Sequence, residues 1–130
     1  MSRTWGQRRL KYAAEILAGQ SPPSERVEPL GSDLPFLQGN AEFGQRSPTA
    51  RFQCRTAPKR CRPGDILISV RAPVGAMNWA DRAYGIGRGL MAVRPLPGTD
   101  VRFLWWLIDA LLIPGMTRSY NNGLIDQLTR

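Results

Sequence analysis

The stretch Pro63-Gly64-Asp65-Ile66-Leu67-Ile68-Ser69-Val70 limits this chain's folds more than any other. Pro-Gly-Asp signals a turn, and four of the five residues after it are aliphatic. A strand-length aliphatic run without alternation has no face to give to water, so both faces must be covered. Ala72-Pro73-Val74-Gly75 then turns the chain, and residues 76–80, with Trp79, read as a return strand.

Residues 84–95, YGIGRGLMAVRP, raise a second question. Three glycines in five positions suggest a phosphate cradle, but such a cradle needs G-x-G-x-x-G between a strand and a helix. The spacing here is G-x-G-x-G, and the short apolar run after it contains a valine and stops at Arg94-Pro95. Residues 87–93 are therefore read as a strand.

The remaining segments give weaker signals. Leu10, Ala13, Ala14 and Leu17 recur at helical spacing, which predicts a helix over 8–18 ending at Gly19, with Ile16-Leu17 opening a strand as the alternative. Residues 19–33 form a loop, 34–38 a short buried strand, and Gly39-Asn40 a turn. Residues 41–64 are irregular and basic, with a strand expected at 51–55. Thr99-Asp100 should cap a helix over 101–112 whose Phe103, Leu104, Leu107, Ile108, Leu111 and Leu112 face inward, stopped by Pro114-Gly115. The tail after 115 is polar, with a turn at Tyr120-Asn121-Asn122-Gly123. Hairpins followed by one good helix argue an α+β domain built on mostly antiparallel short strands. At 130 residues, one domain is expected.

Charge narrows the partner. The net charge is +8, and 16 of the 18 basic residues are arginine, only Lys11 and Lys59 being lysine. Arg46, Arg51, Arg55, Lys59, Arg60 and Arg62 fall between Gln45 and Gly64 with no acid among them. Arg3, Arg8, Arg9 and Lys11 form a second cluster. Such charge points to a polyanion, nucleic acid first, and arginine's planar fork suits phosphate and guanine.

Catalytic equipment is sparse. The chain has no histidine, which excludes His-based nucleophile systems and imidazole zinc sites. Cys54 and Cys61 have six residues between them, unlike zinc-ribbon pairs, and read as two reduced thiols. The carboxylates are scattered. Ser21-Pro22-Pro23-Ser24 faintly mimics an amino-methyltransferase motif, yet it lacks the amide or acid and the aromatic ring that hold a flipped base. Neither a metal nor an organic cofactor is expected, and a binder is favoured over an enzyme. The most apolar run, 103–113, is about half the ~20 residues of a membrane span and carries Asp109. No secretion signal is visible, so a cytoplasmic protein without membrane association is expected.

The segments AGQSPPS, LPFLQGNAEFG and PGDILISVRAPVGAMNWADRAYGIGRGLMAVRP, in that order, closely resemble the target recognition domain of type I restriction–modification specificity subunits. The resemblance spans roughly residues 5–128 and is strongest in the third segment, with its "GDIL", "VG" and "IGRGL" elements. It implies a DNA methylase specificity domain-like fold and a role without chemistry. Such domains bind a DNA half-site and position methyltransferase (modification) and nuclease (restriction) subunits on it. A full subunit resembles two recognition domains alternating with two long helices. This chain is expected to hold one domain over 1–130 without the long helix, leaving a homodimer or a second recognition domain as its partner. By the same resemblance, Gly85, Gly87 and Gly89 let the backbone turn tightly and pack closely where strands meet or DNA approaches, Ser69, Arg71 and Gly75 are framework or phosphate positions, and Arg88 is either a DNA contact or an ion-pair partner of Asp65 or Asp81.

Base reading would fall to loops 38–62 and 116–124, where Gln38, Asn40, Gln45, Arg46, Asn121 and Asn122 have suitable chemistry. Arg51, Arg55, Lys59, Arg60 and Arg62 are the expected DNA-backbone contacts, and Arg118 is a further expected DNA-binding residue. Tryptophans 5, 79, 105 and 106 are expected in the core, with one of the adjacent pair partly exposed. A different class, a basic module that binds RNA or acidic protein surfaces without reading sequence, is the alternative.

Overall fold

The computed structural model describes residues 14–72 and 74–114. Eight strands follow in chain order: β1 (Ala14–Ala18), β2 (Glu28–Pro29), β3 (Pro35–Leu37), β4 (Phe52–Gln53), β5 (Ile66–Ser69), β6 (Met77–Trp79), β7 (Gly85–Ile86) and β8 (Leu90–Pro95). Helix α1 (Val101–Leu107) continues into a π-helical turn, Ile108–Leu112. The strands make two four-stranded sheets. One has the order β1-β8-β5-β6 and is antiparallel throughout. The other has the order β2-β4-β3-β7, with β3 and β7 parallel.

Strand β5 sits inside the first sheet, and Ile66, Leu67 and Ile68 are fully buried. Its side chains alternate between two cores, as a period of two requires. Ile66 and Ile68 join Ala14, Met91 and Val93 against Leu104 and Ile108 of the helical segment. Leu67 joins Leu90 and Ala92 against Leu37, Cys61, Tyr84 and Ile86 on the other side. The domain therefore stacks helix, sheet and sheet, with both faces of β5 covered as expected. Each aliphatic side chain so buried contributes about 1.5–3 kcal/mol.

Four expectations are corrected. Residues 14–18 are strand, not helix, while 8–13 lie outside the described residues. β1 pairs with β8 over five positions, and Ile16 and Leu17 pack on opposite cores, which a helical face cannot do. The strand expected over 87–93 starts only at Leu90, as β8, because Gly87-Arg88-Gly89 is the connection from β7, a strand of the other sheet. β8 also runs on to Pro95. Its neighbour β5 stops opposite Val93, so Pro95 faces a partner, Ala14, on one side only. The strand at 51–55 is shorter than expected and covers only Phe52–Gln53.

The helix also differs in its inward face. Leu104, Leu107 and Ile108 are buried, but Phe103 is 51% exposed and stacks on the equally exposed Trp106. Phe103 lies about 100° around the helix from Leu104, beyond the edge of the buried stripe. Side chains of residues 111 and 112, and Gly115, lie outside the description. Asp100 does cap the helix, its Oδ1 accepting the Arg102 N–H at 2.8 Å. Trp105 stacks on Trp79 at 4.4 Å, so Trp106 is the exposed member of the pair. Trp5 lies outside the described residues.

Candidate nucleic-acid interface

The crossing from β7 to β8 brings three segments together. Gly19 N–H donates to Leu90 O at 2.9 Å and Gln20 N–H to Ile86 O at 3.0 Å, which ties in the chain after β1. Gly87 N–H donates to Leu37 O at 2.9 Å, which ties in the chain after β3. Little space remains between them. A Cβ on Gly87 would lie 3.2 Å from the Gln38 carbonyl oxygen, and one on Gly89 would lie 2.9 Å from it. The glycine run serves close approach, as expected. A left-handed backbone belongs instead to Gly64, Gly75 and Gly98 among the described residues.

Arg88 is the one side chain that this junction presents. Its N–H donates to Ser21 Oγ at 3.2 Å, and its Nε to the same oxygen at 3.4 Å. The expected ion pair with Asp65 or Asp81 does not form. Asp65 receives both Nε and Nη2 of Arg94, at 2.9 and 2.8 Å, and Asp81 accepts from the Tyr84 hydroxyl. That hydrogen-bonded pairing raises the Arg94 pKa.

Beside the junction lies an open groove of about 660 Å³. Gln38, Arg71, Arg88, Ser21 and Ser24 line it with polar groups, and Val27, Phe36 and Phe52 with apolar surface. No acid lines it. The exposed side chains of Gln38 and Arg71 make no hydrogen bond or ion pair among the described residues. Gln38, Arg71 and Arg88 thus come from three separate segments into one cavity. Arg60 and Arg62 share a second, smaller cavity of about 280 Å³ with Arg94 and Glu15. Both are exposed and without an ion pair among the described residues.

The other candidates are spread around the domain. Arg46 is exposed, and its loop is pinned to the free edge of β6. Trp79 N–H donates to Arg46 O, and the buried Asn78 amide both donates to and accepts from Gly44. Arg51 is partly neutralised by the buried Glu42 at 3.5 Å, and its guanidinium lies over the Phe52 ring. Arg55 is exposed and Lys59 half-buried, and the Lys59 carbonyl accepts from Ile86. Asn40 opens a half-buried 3-10 turn, and Gln45 is exposed. Ser69 is framework, its buried hydroxyl donating to Arg71 O at 2.8 Å. Gly75 is framework too, with φ near +101° and the Ile113 side chain where a Cβ would sit. Arg118, Asn121 and Asn122 lie outside the described residues.

Sequence reasoning missed Ser21-Pro22-Pro23-Ser24, Phe36 and Phe52 as groove-lining residues. The two hydroxyls flanking a rigid Pro-Pro were a usable signal, since short donors on a stiff turn suit a polar ligand. Nothing in the cavity resembles a nucleophile with its base. Among the described residues, no group of three or more His, Cys, Asp or Glu is placed to hold a metal ion. The two cysteines are buried free thiols, and burial pushes the Cys61 pKa up to about 11. No helix of the described residues is long and apolar enough to cross a membrane.

No known family profile matches the chain. It is 46% identical over 80 residues to a putative type I restriction enzyme MjaX specificity subunit of Methanocaldococcus jannaschii, which covers 62% of this chain and 19% of that protein. It is 23% identical over 130 residues to the MjaIX specificity subunit of the same organism, covering 93% of this chain and 30% of that protein. Its fold superposes on the HsdS subunit of Thermoanaerobacter tengcongensis with a TM-score of 0.79 at 44% identity, over 86% of this chain and 28% of that one. A type I restriction–modification S subunit from M. genitalium, at 15% identity and a TM-score of 0.53, shares the fold. The chain spans less than a third of the length of each of these relatives. The expected resemblance to a recognition domain of type I specificity subunits and the mixed, largely antiparallel α+β fold are both found.

Proposed function

We propose that this chain, a recognition domain of the type I specificity-subunit kind, binds a short half-site in double-stranded DNA and performs no reaction itself. The observation that carries the reading is the groove with Arg71 and Arg88 on its lining, an uncommitted amide between loops, and no acid among the described residues. Two arginines that no carboxylate neutralises attract phosphate, and a cavity wider than a side chain leaves room for a nucleic-acid edge. Arg60 and Arg62 extend the basic surface through the second cavity. Within a longer specificity subunit, methyltransferase and restriction subunits would be positioned on the DNA that this domain selects. A second recognition domain, or a second copy of the chain, would supply the other half-site. The cytoplasm is where such a complex would act.

The test is duplex binding as a function of salt. Log K should fall by about 0.9 per log unit of salt for each phosphate neutralised. Arg71→Ala and Arg88→Ala should each weaken binding and reduce that slope by roughly one contact. Absence of duplex affinity at low salt would reject the proposal.

A further inference from the structure

We infer that Gln38 is a specificity-determining residue of this groove, and that it reads an adenine through its side-chain amide. The inference rests on the groove being the DNA interface.

Side-chain amides are the groups that offer adenine a donor and an acceptor together, to its N7 and N6 positions. Two such amides in this chain are already committed. Gln53 Oε1 accepts the Asp33 N–H, and Asn78 exchanges two hydrogen bonds with Gly44. Gln38 is exposed and lines the groove, with no hydrogen bond to its amide among the described residues. Its backbone is nonetheless tightly held. The preceding Leu37 is fully buried, and its carbonyl accepts Gly87 N–H. The Gln38 carbonyl oxygen lies against Gly87 and Gly89, where added Cβ atoms would come within 3.2 and 2.9 Å. A free side chain on a fixed backbone can discriminate, because little ordering remains when the ligand arrives.

The neighbours divide the labour. A Cβ on Gly89 would lie 3.8 Å from Arg71 Cδ, so the Arg71 stem crosses this glycine beside the Gln38 backbone. Arg88 is tethered through Nε to Ser21 on the other strand connection. Both cations line the same cavity as the amide, suited to hold the DNA backbone while Gln38 reads a base edge. The glycines at 87 and 89 allow this, since a Cβ at 89 would force a shift against the Gln38 carbonyl and one at 87 would crowd it.

The experiment selects from a pool of random duplexes with the full chain, as wild type, Gln38→Ala, Gln38→Glu and Arg71→Ala, each checked by thermal melting. The wild type should enrich a short motif containing adenine at one position. Gln38→Ala should keep the rest of the motif and lose preference at that position by about tenfold. Gln38→Glu should favour cytosine there, because a carboxylate accepts from the cytosine amino group. Arg71→Ala should weaken binding to all sequences alike and keep the motif. An unchanged motif from Gln38→Ala, or uniform weakening at every position by a variant that melts normally, overturns the role of Gln38 and leaves the DNA reading standing. A wild type that binds duplexes but enriches nothing overturns the assignment of Gln38 as well. A wild type that binds no duplex overturns both.

Discussion

Asp65 closes a turn and anchors a strand with one carboxylate. It is 1% exposed, accepts the Arg62 N–H at 2.9 Å and holds Arg94 by two hydrogen bonds. Asp65→Ala removes all three and leaves the partly buried Arg94 with only its ion pair to the exposed Glu15, at 3.5 Å. Loss of one partner of a buried pair costs far more than loss of both. Asp65→Ala should lower stability by about 2–4 kcal/mol in urea titration, and Asp65→Ala with Arg94→Met should recover part of it. A single variant within about 0.5 kcal/mol of wild type would show that the pair contributes little. At this scale the sequence was ambiguous. Asp65 was visible as a turn residue, but Arg94, 29 positions on, was not visible as its partner.

Elements were legible where one signal dominated. Ile66–Ser69 carries an aliphatic run that no other structure can bury as well, and Asp100 before an amphipathic stripe marks a helix start. The cap makes a pH test. The Arg102 N–H donated to Asp100 holds its carboxyl below the usual value of 3.8. A group whose folded pKa is depressed stabilises the fold above its unfolded pKa and loses that contribution as pH falls through the folded value. Asp100→Ala should therefore lower the melting temperature at pH 7 and leave it unchanged near pH 2, read by circular dichroism. Equal effects at both pH values would refute the cap's electrostatic part. β1 was not legible, because its apolar residues satisfy helical and strand spacing alike. Five backbone pairs with β8 decide between them, and those depend on residues more than seventy positions away.

The whole molecule adds a property no segment has: two acidic groups sealed between the sheets. Burial pushes the Cys61 thiol from 9.0 to about 11 and the Tyr84 phenol above its ordinary range, the latter helped by its hydrogen bond to Asp81. Both stay neutral in the fold at a pH where the unfolded chain releases their protons. The Cys61 contribution is complete below pH 9 and is lost as pH rises toward 11, on the order of 2 kcal/mol, while that of Tyr84 starts to be lost only above its ordinary value of 10. Urea midpoints should be flat to about pH 9 and then fall, and Cys61→Ala should flatten part of that decline. A decline of equal size in Cys61→Ala would remove this thiol from the explanation.

Local chemistry by itself determined the central strand, the helix cap, the arginine excess and the ordered segments that resemble a recognition domain. Each is written in contiguous residues, where periodicity, turn chemistry and charge act over a few ångströms of chain. Tertiary structure alone decided that β1 is a strand, that the glycine run joins two sheets, and that Ser21, Gln38, Arg71 and Arg88 share one groove. Those outcomes depend on close approach between backbones 66 positions apart, as between Gln20 and Ile86. Space at such a contact is a property of the folded layers.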